Sequence, residues 1–137
     1  PHAAAEIDGI SIELSKLDIP ETTNNLIIEL AGGLMVPLNR NELNIHLLEQ
    51  WKLPVILVIQ NYLGSINHSL LSVELLLNRG IPILGIIFNG ERNKMTESFI
   101  ENYTKLNCIA KIEMMDKVDE HTVTYYANQF KEIFKIH

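Results

Sequence analysis

One cysteine, one tryptophan and no lysine after any of its seven glycines are the scarcities of this 137-residue chain. A single Cys108 excludes an internal disulfide, fits a reducing compartment, and leads to the expectation of a cytoplasmic protein. The missing Gly-Lys pair excludes the GxxxxGK[ST] phosphate cradle, so the chain alone holds no ready-made triphosphate loop. Basic residues are outnumbered, 11 against 17 acids, for a formal charge of −6. This argues against a dominant electrostatic grip on nucleic acid and leaves anion binding by backbone amides open. The apolar runs stop at about seven residues, far below the roughly 20 of a membrane-spanning helix. The opening "PHAAAEIDG" has neither the basic nor the apolar region of a signal peptide. His2, His46, His121 and His137 show no metal spacing such as HExxH. There is no initiator Met before Pro1, which is expected of a fragment, a processed chain or a restarted numbering.

Apolar residues make up 47% of the chain, enough for a buried core, and the length suits a single domain over 1–137. Four short β-branched runs are expected strands: "LIIEL" (26–30), "PVILVI" (54–59), "PILGIIF" (82–88) and "CIAKIE" (108–113). Each is apolar on both faces, as parallel strands covered on two sides are. Helical patterns alternate with them at 41–51, 65–80, 94–106 and 119–136. The segment 65–80 is the clearest, with Ser65 as an expected cap, Gly80 as a stop, and a stripe of Ile66, Leu70, Val73 and Leu77. Leu71, Leu75 and Leu76 widen its apolar surface, so it is buried on two sides or meets another subunit. Alternating strands and helices predict a doubly wound α/β sheet, mostly parallel.

In such sheets ligands bind beyond the carboxyl ends of the strands. Glu29, Gln60, Asn61, Asn89 and Glu113 fall there. Glu29 suits a hard cation such as Mg²⁺ bridged to phosphate, or it caps a turn and faces solvent. Ala31, Gly32 and Gly33 allow close backbone approach to a ligand, or simply form a tight turn. Gly64 and Ser65 open a helix whose free N–H groups accept carboxylate or phosphate, or are merely well capped. Asn89 offers a donor and an acceptor to a nucleobase edge, while Asn89-Gly90 also makes a common turn. Cys108 lies in an apolar run and reads as core.

Read in order, "PHAAAE", "IIELAGGLMVPL", "LPVILVIQNYLGSINHSLLS" and "GIIFN" resemble the C-terminal two-thirds of the dethiobiotin synthetase family. The matching family patterns are "PH" with small residues, "VEGAGG…PL", "LPVILV…LG.INH..LT" and "GW..N". The resemblance implies a P-loop NTPase type of fold whose N-terminal strands, P-loop lysine and second metal-binding acid lie outside this chain. It implies Mg²⁺- and ATP-dependent closure of 7,8-diaminononanoate and CO₂ to dethiobiotin, in biotin synthesis. By resemblance, Glu29 is a Mg²⁺ ligand, and Leu30, Ala31 and Gly32 line the phosphates. Asn89 and Gly90 meet the adenine, Glu113, Met114 and Met115 cover it, and Glu120 reaches the ribose side. Gly64, Ser65, Ile66 and Asn67 hold the carboxylate tail of a diamine bound mainly to the partner of a homodimer, joined through the helix 65–79. Leu30 stands where the family has Gly, and Glu113 where it usually has Pro. Those departures, with the absent P-loop, keep a second expectation in view: a non-catalytic dimerisation or regulatory module of the same fold.

Overall fold

The computed structural model describes residues 1–134; the end of the last expected helix, at residue 136, and His137 lie outside them. Two compact units divide the chain, residues 1–53 and 54–137. The first contains helix α1 (His2–Ile7), a 3₁₀ turn (Leu14–Lys16) and helix α2 (Asn44–Trp51). Leu14, Leu38 and Leu47 form its core, with Ile12, Leu17, Leu30 and Trp51 packed against them. Polar side chains fasten the irregular backbone over this core. Trp51 Nε1 donates to Leu17 O at 2.8 Å, and Asn39 Nδ2 donates to Ile12 O at 2.8 Å. Helix α2 ends at Lys52, which takes the left-handed conformation at φ 54°.

Residues 26–30 are not a strand, contrary to the sequence pattern. A strand exists only through hydrogen bonds to a neighbour, and among the described residues none pairs with this run. Ile27 is accordingly 92% exposed. The apolar pattern records fitness for a sheet interior, not the presence of one.

The second unit is a three-stranded parallel sheet in the order β1 (Val55–Ile59), β2 (Ile83–Asn89), β3 (Cys108–Ile112). Helix α3 (Ser65–Asn78) joins β1 to β2, α4 (Lys94–Thr104) joins β2 to β3, and α5 (Glu120–Phe134) follows. Parallel neighbours need such helical crossovers, so the topology follows from the alternating pattern. Ile59, Ile86, Phe88 and Ile100 form the core. Covering of both sheet faces holds at Ile86, Ile87 and Phe88, whereas Val58 and Leu84 stand exposed. Gly85 is required by proximity: a Cβ there would lie 2.6 Å from Asn107 O. That same carbonyl accepts Ile86 N–H at 3.0 Å, just before the register of β2 and β3 shifts.

Two helix details differ from expectation. Ser65 is the first residue of α3 rather than its cap, and Gly64, at φ +100°, takes the cap position. The buried side of α3 is Ser65, Ser69, Val73 and Leu76, so of the expected stripe only Val73 is buried, and Leu77 is 58% exposed. Small hydroxyl residues lie inward because Ser69 Oγ satisfies itself on Ser65 O at 2.7 Å. Helix α5 has a reciprocal cap: Asp119 Oδ1 accepts Thr122 N–H at 3.1 Å, and Thr122 Oγ1 accepts Asp119 N–H at 2.9 Å.

Candidate functional site

The carboxyl edge of the sheet is built around a buried acid. Glu97, on the first turn of α4, is 1% exposed. Its Oε1 accepts from Asn61 Nδ2 at 3.0 Å, Arg92 Nε at 2.9 Å and Asn93 N–H at 3.0 Å. Its Oε2 accepts from Arg92 at 2.6 Å and faces Lys111 Nζ at 3.3 Å. One carboxylate thus ties the segment after β1, the segment after β2, and β3 itself. Asn61 Nδ2 also donates to Glu91 O at 2.9 Å, so the turn following Asn89 is held from two directions.

The charges agree with this geometry. Hydrogen bonding to the Arg92 guanidinium, helped by Asn93 N–H and Lys111, outweighs burial and holds the Glu97 carboxyl down to about 2. Arg92 is raised in return, chiefly by its hydrogen bond to Glu97. Burial opposes the Lys111 charge, but hydrogen bonds to Glu101 and Glu97 prevail and raise it. Lys111 Nζ lies 2.9 Å from Glu101 and 5.4 Å from the centre of the Phe88 ring. Burial pushes the Cys108 thiol up, in keeping with a core role.

Above this network sit several of the expected site residues. Asn89 ends β2 with its side chain exposed. Gly90 follows at φ +103°, and its N–H donates to Ile112 O at 2.8 Å. A Cβ on Gly90 would meet only Gln60 and Met114, at 3.6 Å or more, so Asn89, Gly90, Gln60 and Met114 share one corner. Glu113 N–H donates to Tyr126 Oη at 3.1 Å, fixing the chain where it leaves β3, and its carboxylate lies 3.8 Å from Arg92. Met114 is exposed, whereas Met115 lines an apolar hollow of about 240 Å³ with Ile112, Val118, Val123 and Tyr126. Glu120 is exposed at the start of α5. Residues 64–67 form the turn into α3, where Ser65 is buried, Ile66 half-buried and Asn67 exposed.

The remaining expected residues belong to the first unit. Glu29 is exposed, and among the described residues its carboxylate makes no hydrogen bond or ion pair. Leu30, in the family's Gly position, is half-buried and turns into the core formed by Leu14, Leu38 and Leu47. Ala31 O and Gly33 O accept hydrogen bonds from Asn44 Nδ2 at 3.0 and 2.9 Å. Gly32 between them has φ +79°. Glu29 therefore offers one free hard-oxygen ligand beside small residues, a donor suited to Mg²⁺ shared with phosphate. No group of three or more His, Cys, Asp or Glu side chains gathers to hold a metal among the described residues.

Asn44, Arg92, Glu97 and Lys111 were not among the expected site residues, whereas Asn61 was expected at the ligand edge. The only available signal was Lys111, a charge inside the apolar run "CIAKI". Such a charge needs a buried acid within reach.

Comparison with known proteins adds the family. The model of a family described as "AAA domain" matches residues 1–122. An ATP-dependent dethiobiotin synthetase BioD of Christiangramia forsetii is 48% identical over 132 residues, covering 96% of this chain and 63% of that protein. One from Rhodopseudomonas palustris is 47% identical over 123 residues, covering 90% of this chain and 59% of that one. One from Bradyrhizobium diazoefficiens is 54% identical over 101 residues, 73% of this chain and 48% of that one. The chain thus spans less than two-thirds of the length of these relatives. No helix among the described residues is long and apolar enough to cross a membrane. With the parallel α/β fold and the motif resemblance borne out, this chain belongs to the AAA domain family and is a relative of the ATP-dependent dethiobiotin synthetases.

Proposed function

We propose that this chain is part of one α/β domain of a cytoplasmic ATP-dependent dethiobiotin synthetase. The reading rests on one observation above others: 48% identity across 96% of the chain to a protein of that name. In the proposed reaction one amine of 7,8-diaminononanoate adds to CO₂ as a carbamate. The carbamate oxygen takes the γ-phosphoryl group of ATP, releasing ADP, and the second amine then attacks the carbonyl and expels phosphate as the ring closes. Catalysis of this kind is positioning together with neutralisation of phosphate charge.

In this reading Asn89 presents its carboxamide to the adenine edge from the end of β2, and Gly90 leaves room for the base. Glu113, Met114 and Met115 cover the ring where the chain leaves β3, and Glu120 faces the ribose side from α5. Ala31 and Gly32 border the phosphates, while Leu30 is kept out of their way by its packing in the core. Glu29 holds Mg²⁺, which would neutralise charge on the transferring phosphoryl group. Residues 64–67 receive the carboxylate tail of the diamine at the start of α3. This reading requires a lysine-bearing P-loop outside the present residues, among which no glycine precedes a lysine.

Exposed Leu71 and Leu77 on α3 support association as a homodimer through the helix 65–79. The same leucines would equally serve the alternative, a dimerisation or regulatory module without catalysis. The experiment that separates them is dethiobiotin formation by the full-length gene product, dependent on ATP and diamine. Turnover that falls at least about a hundredfold in Glu29→Ala supports the enzyme and its metal ligand, given the several kcal/mol a metal supplies. No turnover by the full-length product favours the module, and full activity in Glu29→Ala removes Glu29 from the metal site.

A further inference from the structure

Asn44 opens helix α2 and is 1% exposed. Its Nδ2 donates to Ala31 O at 3.0 Å and to Gly33 O at 2.9 Å. Its own N–H donates to Val36 O at 3.0 Å, and Ile45 N–H donates to Leu34 O at 2.9 Å. Two consecutive residues therefore hold four carbonyls of the loop that follows Glu29. The orientation of the carboxamide is chemically forced, because turning it over would set its oxygen against two carbonyl oxygens. Asn44 Oδ1 is left buried without a partner. A buried acceptor left unpaired costs stability, so a side chain chosen only to pack there would be apolar.

Trans peptide planes give these bonds a consequence on the other side of the loop. In each plane the C=O and the following N–H point in opposite directions, and the chain has no cis peptide. Holding Ala31 O and Gly33 O toward α2 turns Gly32 N–H and Leu34 N–H away from it. Neither N–H donates a hydrogen bond among the described residues. Gly32 and Gly33 separate the two groups, and Gly32 has φ +79°, with a Cβ there coming within 3.0 Å of Val36 Cγ2. Free N–H groups turned to the same side around a left-handed residue form a concavity suited to anions.

We propose that Asn44 is the positioning residue of the phosphate side, setting Gly32 N–H and Leu34 N–H as a paired cradle for nucleotide polyphosphate oxygens. The role rests on the ATP-dependent reading above and adds to it a residue that touches no substrate. The test uses the full-length gene product and two variants, Asn44→Asp and Gly32→Ala. Asn44→Asp keeps the shape and loses the donor, whereas Gly32→Ala keeps Asn44 and strains the loop. Each is measured for kcat, KM for MgATP, melting temperature, and inhibition by inorganic tripolyphosphate and by adenosine. The expected result is a selective loss: tripolyphosphate inhibition weakens and the KM for MgATP rises by about tenfold or more, while adenosine inhibition stays within about twofold. A merely structural clip lowers the melting temperature and leaves both inhibitors unchanged in the folded fraction. Tripolyphosphate inhibition within about twofold of the parent in folded Asn44→Asp overturns the proposal. If that variant does not fold, the same outcome in Gly32→Ala overturns it. A parent protein that makes no dethiobiotin defeats the reaction assigned above; calorimetric titration with tripolyphosphate then decides the Asn44 role, with binding weakened about tenfold in Asn44→Asp supporting it and binding within about twofold of the parent overturning it.

Discussion

Replacing Glu97 by glutamine removes one charge from the carboxyl edge and almost no volume. The cost follows from the contacts. Five donor groups converge on the carboxylate, from Asn61, Arg92 (twice), Asn93 N–H and Lys111. A glutamine accepts through one oxygen only, and its amide must face another donor, so Arg92 loses one of its two bonds to Glu97 or Lys111 keeps only its Glu101 contact, and the charge balance at a buried group is broken. The same contacts set the size: a fall of the Glu97 pKa from 4.5 to about 2 corresponds to about 3 kcal/mol of stability at neutral pH. Loss of one partner of a buried pair is expected to cost about the same, roughly 3–5 kcal/mol. The sign of the pH dependence is also determined. A carboxyl with a depressed pKa stabilises the fold fully above its unfolded value, and that contribution fades as pH falls from 4.5 toward 2. Urea unfolding of the full-length gene product and of Glu97→Gln is therefore expected to differ by about 3 kcal/mol near neutral pH. The gap narrows steadily below the unfolded carboxylate range. A gap under about 1 kcal/mol at neutral pH, or one that persists unchanged on acidification, refutes the reasoning. A small gap would mean that Glu97 is solvated like a surface pair, and a constant one that packing rather than charge carries the effect.

Two further outcomes follow from the fold. Gly85→Ala places a methyl 2.6 Å from Asn107 O, so β2 and β3 must separate; a loss of about 2–4 kcal/mol in thermal or urea unfolding is expected, and a neutral effect would show that this strand pair yields readily. Leu71→Glu with Leu77→Glu places charges on two exposed leucines of α3; light scattering of the full-length product is expected to shift from dimer to monomer, and an unchanged mass moves the proposed interface elsewhere.

The parts of the fold that were legible are those a local pattern can encode. Runs such as "VILVI" and "ILGIIF" make parallel strands because each has a neighbour to pair with and helices arriving at the right spacing. The run "LIIEL" is similarly apolar and makes none, because pairing is a property of two segments and periodicity describes one. Helix α3 shows the complementary limit. Counting apolar positions predicts a stripe through Ile66, Leu70, Val73 and Leu77, yet the buried side includes Ser65 and Ser69. A serine that bonds back to its own helix needs no other partner, so burial costs it little and leaves no trace in hydropathy.

The polar framework of the site was hidden for a related reason. Glu97 lies three residues before Ile100 on the inner face of α4, and a pattern that counts only apolar residues passes over it. Asn44 was hidden likewise: an asparagine at a helix start ordinarily reads as a cap, whereas this one spends its donors on a loop eleven to thirteen residues earlier. Both residues act at a distance in sequence on segments whose own residues carry the visible motifs, Asn89-Gly90 in one case and Ala31-Gly32-Gly33 in the other. Glycines and strand-end asparagines mark where a ligand has room, because room requires small side chains. The groups that hold such a loop still must be buried polar ones, and those are found only by asking which carbonyls and amides the loop leaves to be satisfied.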